Sequence, residues 1–116
     1  VNAFDYQNPV SFSHRILPQL VEKNVGVIGM KSLGGTPGRF VNELGALTAE
    51  ECLRFTMNMP VATVVSGMDS MERLRANLAT VRAFAPLDDQ EVERILAKCR
   101  EAATTGEHER YKRKEA

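Results

Sequence analysis

The stretch VATVVSGMDSMERLRAN, residues 61–77, determines the fold that the sequence predicts. The apolar, β-branched run at 61–65 favours a buried strand, and a helix follows it after Ser66 and Gly67. Asp69 and Glu72 have the spacing of a capping box at the start of that helix. In a parallel α/β protein, this order forms an anion site. Glycine lets the backbone approach the anion, and the first N–H groups of the helix have no partner within it.

Outward from this stretch, strand-like and helix-like segments alternate in the order β-α-β-α-β-α-α. Residues 1–4 are predicted as a short strand, and the apolar spacing over 13–23 predicts a helix with Pro18 in its first turn. Residues 25–30, VGVIGM, form a continuous apolar run, which is typical of a strand covered on both faces. The glycine-rich loop at 32–38 continues irregularly to residue 47, and this length suggests a functional loop.

Two more capping boxes predict helices later in the chain, Thr48 with Glu51 and Asp88 with Glu91. Behind the three boxes lie apolar stripes that we expect to be buried: Cys52, Leu53, Thr56 and Met57; Met71, Leu74, Leu78 and Val81; Val92, Ile95, Leu96 and Cys99. The residues after Gly106 are polar and mixed in charge, so we expect a disordered tail. The sequence thus predicts one domain at 1–105 and a tail at 106–116.

Composition narrows the function classes. The 15 basic and 15 acidic residues balance, so there is no global electrostatic argument for nucleic acid or an anionic membrane as a partner. Cys52 and Cys99 lack metal-type spacing and are expected to be reduced core thiols. His14 and His108 have no ligand-spaced partner and are expected to be exposed. No signal peptide or membrane-length apolar run is visible, which favours a cytoplasmic protein. The start at Val1, inside a predicted strand, suggests a fragment or a processed chain.

Two predicted strand ends carry glycine, at residues 30–35 and 66–70. Parallel strands joined by helical crossovers bind ligands at their carboxyl ends. If the strands are neighbours, the two loops face one crevice, which suits an elongated phosphorylated cofactor. Neither GxGxxG nor GxxxxGK[ST] is present, so the standard dinucleotide and P-loop signatures are absent.

Four segments together are similar to a known family: NAFD at 2–5, VGVIGMKSLGG at 25–35, LTAEECLRFTM at 47–57 and PVATVVSGMDSMERLRANL at 60–78. Over residues 1–87 the chain resembles the C-terminal portion of the aldo/keto reductases. The resemblance implies an α/β fold, a partial (β/α)8 TIM barrel of about the last three β/α units plus a C-terminal helix. It implies an oxidoreductase for NADPH-dependent carbonyl reduction or alcohol oxidation. The family's catalytic Asp, Tyr, Lys and His lie on earlier strands, so no catalytic residue is expected here.

The resemblance also implies which residues contact the cofactor. In the loop after the family's seventh strand, which wraps the pyrophosphate, the matching residues are Lys31, Ser32, Leu33, Gly34 and Gly35. Met30 stands where many members stack an aromatic residue on the nicotinamide. After the eighth strand, the adenosine end is matched by Gly67, Met68, Asp69, Ser70, Arg73 and Asn77. Arg73 would hold the 2′-phosphate and Asn77 would read adenine.

Several alternatives remain beside this hypothesis. Gly67 and Ala76 stand where many relatives have Lys and Glu, so NAD(H) is not excluded beside NADP(H). The chain is alternatively a non-catalytic cofactor-binding or accessory module, or an inactive truncated fragment. Arg73 and Lys31 are alternatively ordinary surface cations. The expected partners are a small carbonyl substrate in the full-length protein and, through open sheet edges, other copies of the chain.

Overall fold

The part of the chain that the structure describes, residues 1–35 and 38–104 of a computed structural model, contains seven helices and two strands. In chain order these are α1 (Ala3–Tyr6), α2 (Phe12–Arg15), α3 (Leu17–Glu22), β1 (Ile28–Gly29), α4 (Arg39–Asn42), α5 (Ala49–Asn58), β2 (Thr63–Val64), α6 (Met71–Arg82) and α7 (Asp89–Thr104). They form a small, mostly helical α/β domain. The predictions for the tail at 106–116 and for His108 lie outside the described residues.

The two strands pair in parallel, with Ile28 opposite Thr63 and Gly29 opposite Val64. Flanking bonds extend the ladder: Ala62 N–H donates to the Val27 carbonyl, and Val65 N–H donates to the Gly29 carbonyl, both at 2.8 Å. The prediction of parallel strands is therefore confirmed, and the condition that the two strands are neighbours is met. Both strands are shorter than the apolar runs at 25–30 and 61–65 suggested.

The prediction that these strands are covered on both faces is wrong. Val27 and Gly29 are buried on the side of α5, whereas Ile28, Met30 and Val65 are each more than half exposed. Side chains alternate between the two faces of a strand. One face of the sheet therefore packs on α5, and the other is open to solvent in the described part of the chain.

The first four residues do not form the predicted strand, because α1 begins at Ala3. The side chain of Asn2 is its N-cap and accepts a hydrogen bond from Asp5 N–H at 2.8 Å, which is the usual role of asparagine before a first turn. Phe4 is then buried and stacks on Phe40 with ring centroids 3.9 Å apart. The cap and this aromatic contact outweigh the weak strand preference of a four-residue run.

The helical prediction for 13–23 is confirmed in outline, since α2 and α3 occupy that stretch and Pro18 lies in the first turn of α3. The loop predicted as irregular from 32 to 47 contains one helical turn, α4. Its N-cap position is Gly38, whose φ of 80° favours glycine.

The capping boxes at the starts of α5 and α7 are confirmed. Glu51 N–H donates to Thr48 Oγ1 at 3.1 Å, and Thr48 N–H donates to Glu51 Oε2 at 2.9 Å. Asp88 and Glu91 exchange the same two bonds, at 2.8 and 3.2 Å. These reciprocal bonds satisfy N–H groups that the helix itself leaves without partners.

The core lies between α1, α5 and α7, with contributions from the loop around α4. It contains Ala3, Phe4, Phe40, Leu47, Cys52, Phe55, Leu87, Ile95, Leu96 and Cys99. Both cysteines are free and buried, as predicted, and the exposed position of His14 is confirmed as well. The burial expected for the α6 stripe is wrong, because Met71, Leu78 and Val81 are exposed. Helical spacing identifies an apolar face but does not supply the element that covers it.

Candidate functional site

A cleft of about 400 Å³ lies where the two parallel strands end. Met30 follows β1 and Val65 follows β2, and the parallel pairing puts both residues at the same edge of the sheet. Most of the residues that the resemblance implied for the cofactor line this cleft: Met30, Lys31, Ser32, Leu33, Gly35, Gly67, Met68, Asp69 and Arg73. The structure therefore brings the two glycine loops together at one site.

Three of the implied residues do not line the cleft. Gly34 lies against the Phe40 ring, where an added Cβ would be 2.8 Å from Cδ1. Ser70 is the N-cap of α6. Asn77 is 8% exposed and donates from Nδ2 to Ser66 Oγ at 3.1 Å. Asn77 therefore holds the second loop through Ser66 instead of facing the cleft.

Three lining residues were not among those predicted: Gly38, Val65 and Ser66. Ser66 and Val65 adjoin Gly67, so the strand end that predicted the site also contained them. Gly38 comes close only because the first loop folds back into α4, and the spacing of residues along the chain does not encode that return.

The first loop leaves the sheet through an unusual backbone conformation. Lys31 has a φ of 56°, a left-handed conformation that is uncommon for a residue with a side chain. Its carbonyl accepts a hydrogen bond from Gly34 N–H at 2.9 Å and one from Asn2 Nδ2 at 3.3 Å. These bonds hold the turn and compensate for a conformation that costs about 1–2 kcal/mol. Such backbone conformations are found disproportionately at ligand-binding sites.

Ser32 supplies the clearest sign of a missing partner. The residue is 3% exposed and lines the cleft. Within the described residues, its Oγ is a buried polar atom without a hydrogen-bond partner. A buried hydroxyl in that state costs about 1–3 kcal/mol, so each such group calls for an explanation. A polar ligand in the cleft would satisfy it.

The second loop ends in an N-cap that differs from the predicted one. Ser70, not Asp69, caps α6, with its Oγ accepting from Arg73 N–H at 3.1 Å. Asp69 is thereby released from capping, and its Oδ1 lies 3.5 Å from Nε of Arg73. The predicted capping box of Asp69 with Glu72 is wrong because Ser70, one residue later, is an equally good cap and has the extended conformation that the position requires.

The charges and donors of the cleft suit an anion. Lys31 and Arg73 contribute two cations, Asp69 contributes one carboxylate, and the first turn of α6 adds its positive dipole end. A buried hydroxyl and glycine backbone complete the surface. Ligand clefts of this size commonly combine an apolar lining, here Met30, Leu33, Val65 and Met68, with a few convergent polar groups.

The described residues contain neither a cluster of metal ligands nor a helix suited to crossing a membrane. In that part of the chain no group of three or more His, Cys, Asp and Glu side chains is positioned to hold a metal ion. Over the same residues, every helix is too short or too polar to cross a membrane.

Comparison of the chain with protein-family models, with curated proteins and with solved structures gives no match. The resemblance to aldo/keto reductases therefore stays a prediction from the sequence.

Proposed function

We propose that this chain is the cofactor-binding part of an NADP(H)-dependent oxidoreductase of aldo/keto reductase type. The observation that carries the proposal is the meeting of both glycine loops at one cleft. Its lining includes the cations Lys31 and Arg73 and the Ser32 hydroxyl, which has no hydrogen-bond partner among the described residues. A phosphorylated dinucleotide would supply an acceptor for the hydroxyl and anionic charge for the two cations.

Different residues of the cleft would contact different parts of the cofactor. Lys31 and Ser32 would hold the pyrophosphate through their charge and hydroxyl. Gly35 would let phosphate oxygens approach the backbone, because no heavy atom of the described residues lies within 4 Å of where its Cβ would be. Arg73 would bind a 2′-phosphate. Asn77 acts by holding Ser66 in place. When bound, the cofactor supplies a hydride for a small carbonyl substrate.

The catalytic acid and its supporting groups belong, on this proposal, to other β/α units of a (β/α)8 barrel. Two exposed apolar surfaces support such units, because surfaces of this kind usually lie against another element. One is the open sheet face with Ile28, Met30 and Val65, and the other is on α6 with Leu78 and Val81. The non-catalytic binding module remains the second candidate. It is favoured by the lining of the cleft, in which nine residues match cofactor contacts of the family and none matches a position of its catalytic tetrad.

The central test is a fluorescence titration of the 116-residue chain with NADPH. Saturable binding is expected, weakened about tenfold in Arg73→Gln because a charge-assisted bond is lost. Arg75→Gln is the matched control, since Arg75 is an exposed arginine of the same helix outside the cleft lining. Equal weakening in both variants, or no saturable binding to the wild-type chain, would overturn the proposal.

The open sheet also supports self-association between copies of the chain. Both strands have an unpaired outer edge in the described residues, and such edges pair readily with other strands. Light scattering should give a mass above that of one chain. Val65→Lys at the end of β2 should lower this mass, because a lysine on an edge strand disfavours pairing with another strand. A monomer at all concentrations would contradict this part of the proposal.

A further inference from the structure

We propose that Asp69 and Arg73 together form a charge selector that lets the cleft accept both phosphorylated and unphosphorylated ribose. The inference rests on the proposed function and names a residue that decides cofactor preference. Arg73 attracts a phosphate monoester. Asp69 repels it and accepts hydrogen bonds from a ribose diol instead.

The geometry leaves Asp69 available for this role. Because Ser70 caps α6, the Asp69 carboxylate is not needed to satisfy the helix N-terminus. Its side chain is 76% exposed, lines the cleft and lies 3.5 Å from the guanidinium of Arg73. Arg73 is 37% exposed and lines the same cleft. A group that reaches one of these side chains therefore reaches the other.

The two side chains act with opposite sign on the same ligand group. A phosphate beside Arg73 gains charge-assisted hydrogen bonds but must share the guanidinium with Asp69 and approach a like charge. A ribose with two hydroxyls carries no charge there and can donate to the carboxylate, an interaction that acidic residues make in other dinucleotide sites. An independent observation points to a polar ligand for the same cleft: the Ser32 hydroxyl in its lining is buried and has no hydrogen-bond partner among the described residues.

Neutralising Asp69 and neutralising Arg73 should therefore shift the cofactor preference in opposite directions. The preference is measured as the ratio of the dissociation constants of NADH and NADPH. Asp69→Asn should move this ratio towards NADPH by about fivefold, the upper range for an exposed charge pair. Arg73→Gln should move it towards NADH by a similar factor. The double variant should return near the wild-type ratio. The shifts should shrink at high salt, because both side chains are partly exposed.

The experiment is a pair of fluorescence titrations, with NADPH and with NADH, on the wild type, both single variants and the double variant. Asp89→Asn is the matched control, an exposed aspartate on α7 that does not line the cleft. Circular dichroism should show unchanged helix content in Asp69→Asn because Ser70 remains the cap. An unchanged ratio in Asp69→Asn, or the same shift in Asp89→Asn, would overturn the selector and leave cofactor binding standing. No binding of either dinucleotide to any variant would overturn both proposals.

Discussion

Replacing Gly34 or Gly35 by alanine separates two contributions to the free energy of unfolding, the cost of a left-handed backbone and the cost of a steric clash. Both glycines lie in the first loop of the cleft. Both glycines have left-handed backbones, with φ of 88° and 83°. Among the described residues, a Cβ at Gly35 would meet no heavy atom within 4 Å, whereas a Cβ at Gly34 would lie 2.8 Å from Cδ1 of Phe40. Gly35→Ala should therefore show the backbone cost alone, and Gly34→Ala should show the same cost plus a steric clash.

The magnitudes follow from the surroundings of Phe40. A left-handed backbone costs a residue with a Cβ about 1–2 kcal/mol. The Phe40 ring cannot move aside, since it is buried and stacks on Phe4, and forcing a methyl group into a packed core costs about 1–3 kcal/mol. The free energy of unfolding should fall by about 1–2 kcal/mol in Gly35→Ala and by about 2–5 kcal/mol in Gly34→Ala, out of a typical total of about 5–15 kcal/mol.

The assay is urea unfolding followed by circular dichroism. With denaturant slopes of about 1–3 kcal/mol/M, the midpoint of Gly34→Ala should lie roughly 1 M below that of Gly35→Ala. Adding Phe40→Leu to each glycine variant should narrow this gap, because it removes the ring atoms that the new methyl group would meet. Equal midpoints for the two alanine variants would refute the argument, because both share the backbone cost and differ only in the contact with Phe40.

Three further outcomes are expected. Gly29→Ala should destabilise the fold by about 1–3 kcal/mol because its Cβ would lie 2.9 Å from Cγ2 of Thr56. Thr56→Ser, which removes that methyl group, should recover part of the loss in a double-mutant cycle. In urea unfolding, Thr48→Ala should lower the free energy of unfolding by about 1 kcal/mol, because it removes the N-cap of α5. Ala49→Ser is the control, since it changes the neighbouring residue and leaves the Thr48 cap in place. Burial, then the nearby Glu51 and the second thiol, raise the pKa of Cys52 from 9.0 to about 12. Because the folded-state value is the higher one, its contribution to stability is complete below about pH 9 and is lost as pH rises towards 12, and thiol labelling at pH 8 should require unfolding.

The sequence predicted the features that depend on neighbouring residues. The capping boxes at Thr48 and Asp88 need residues only three apart, and both form as expected. The parallel strands were predicted from two apolar runs separated by a helix-forming segment, and they pair. The capping boxes depend on residues that are close together in the sequence. The parallel pairing follows from the order of strands and helices along the chain.

The errors arise where two local signals compete or where burial depends on distant elements. Asp69 and Ser70 are both good caps, and the conformation of the chain as it leaves β2 selects Ser70. Asn2 could begin a helix or precede a strand, and the packing of Phe4 on Phe40 decides in favour of the helix. Ser32 is a polar residue in a glycine-rich loop, and no periodic pattern records that it is buried.

One contact beneath the sheet explains where the cleft forms. A Cβ on Gly29 would lie 2.9 Å from the Thr56 methyl group, so β1 lies closer to α5 than a residue with a side chain allows. That close approach buries Gly29 and, because side chains alternate along a strand, turns Met30 to the open face beside Val65. The first loop therefore leaves the sheet next to the loop that begins at Ser66. Two strands, each ending near a glycine, assemble this cleft by pairing, and a motif defined by spacing within one loop cannot detect such an arrangement.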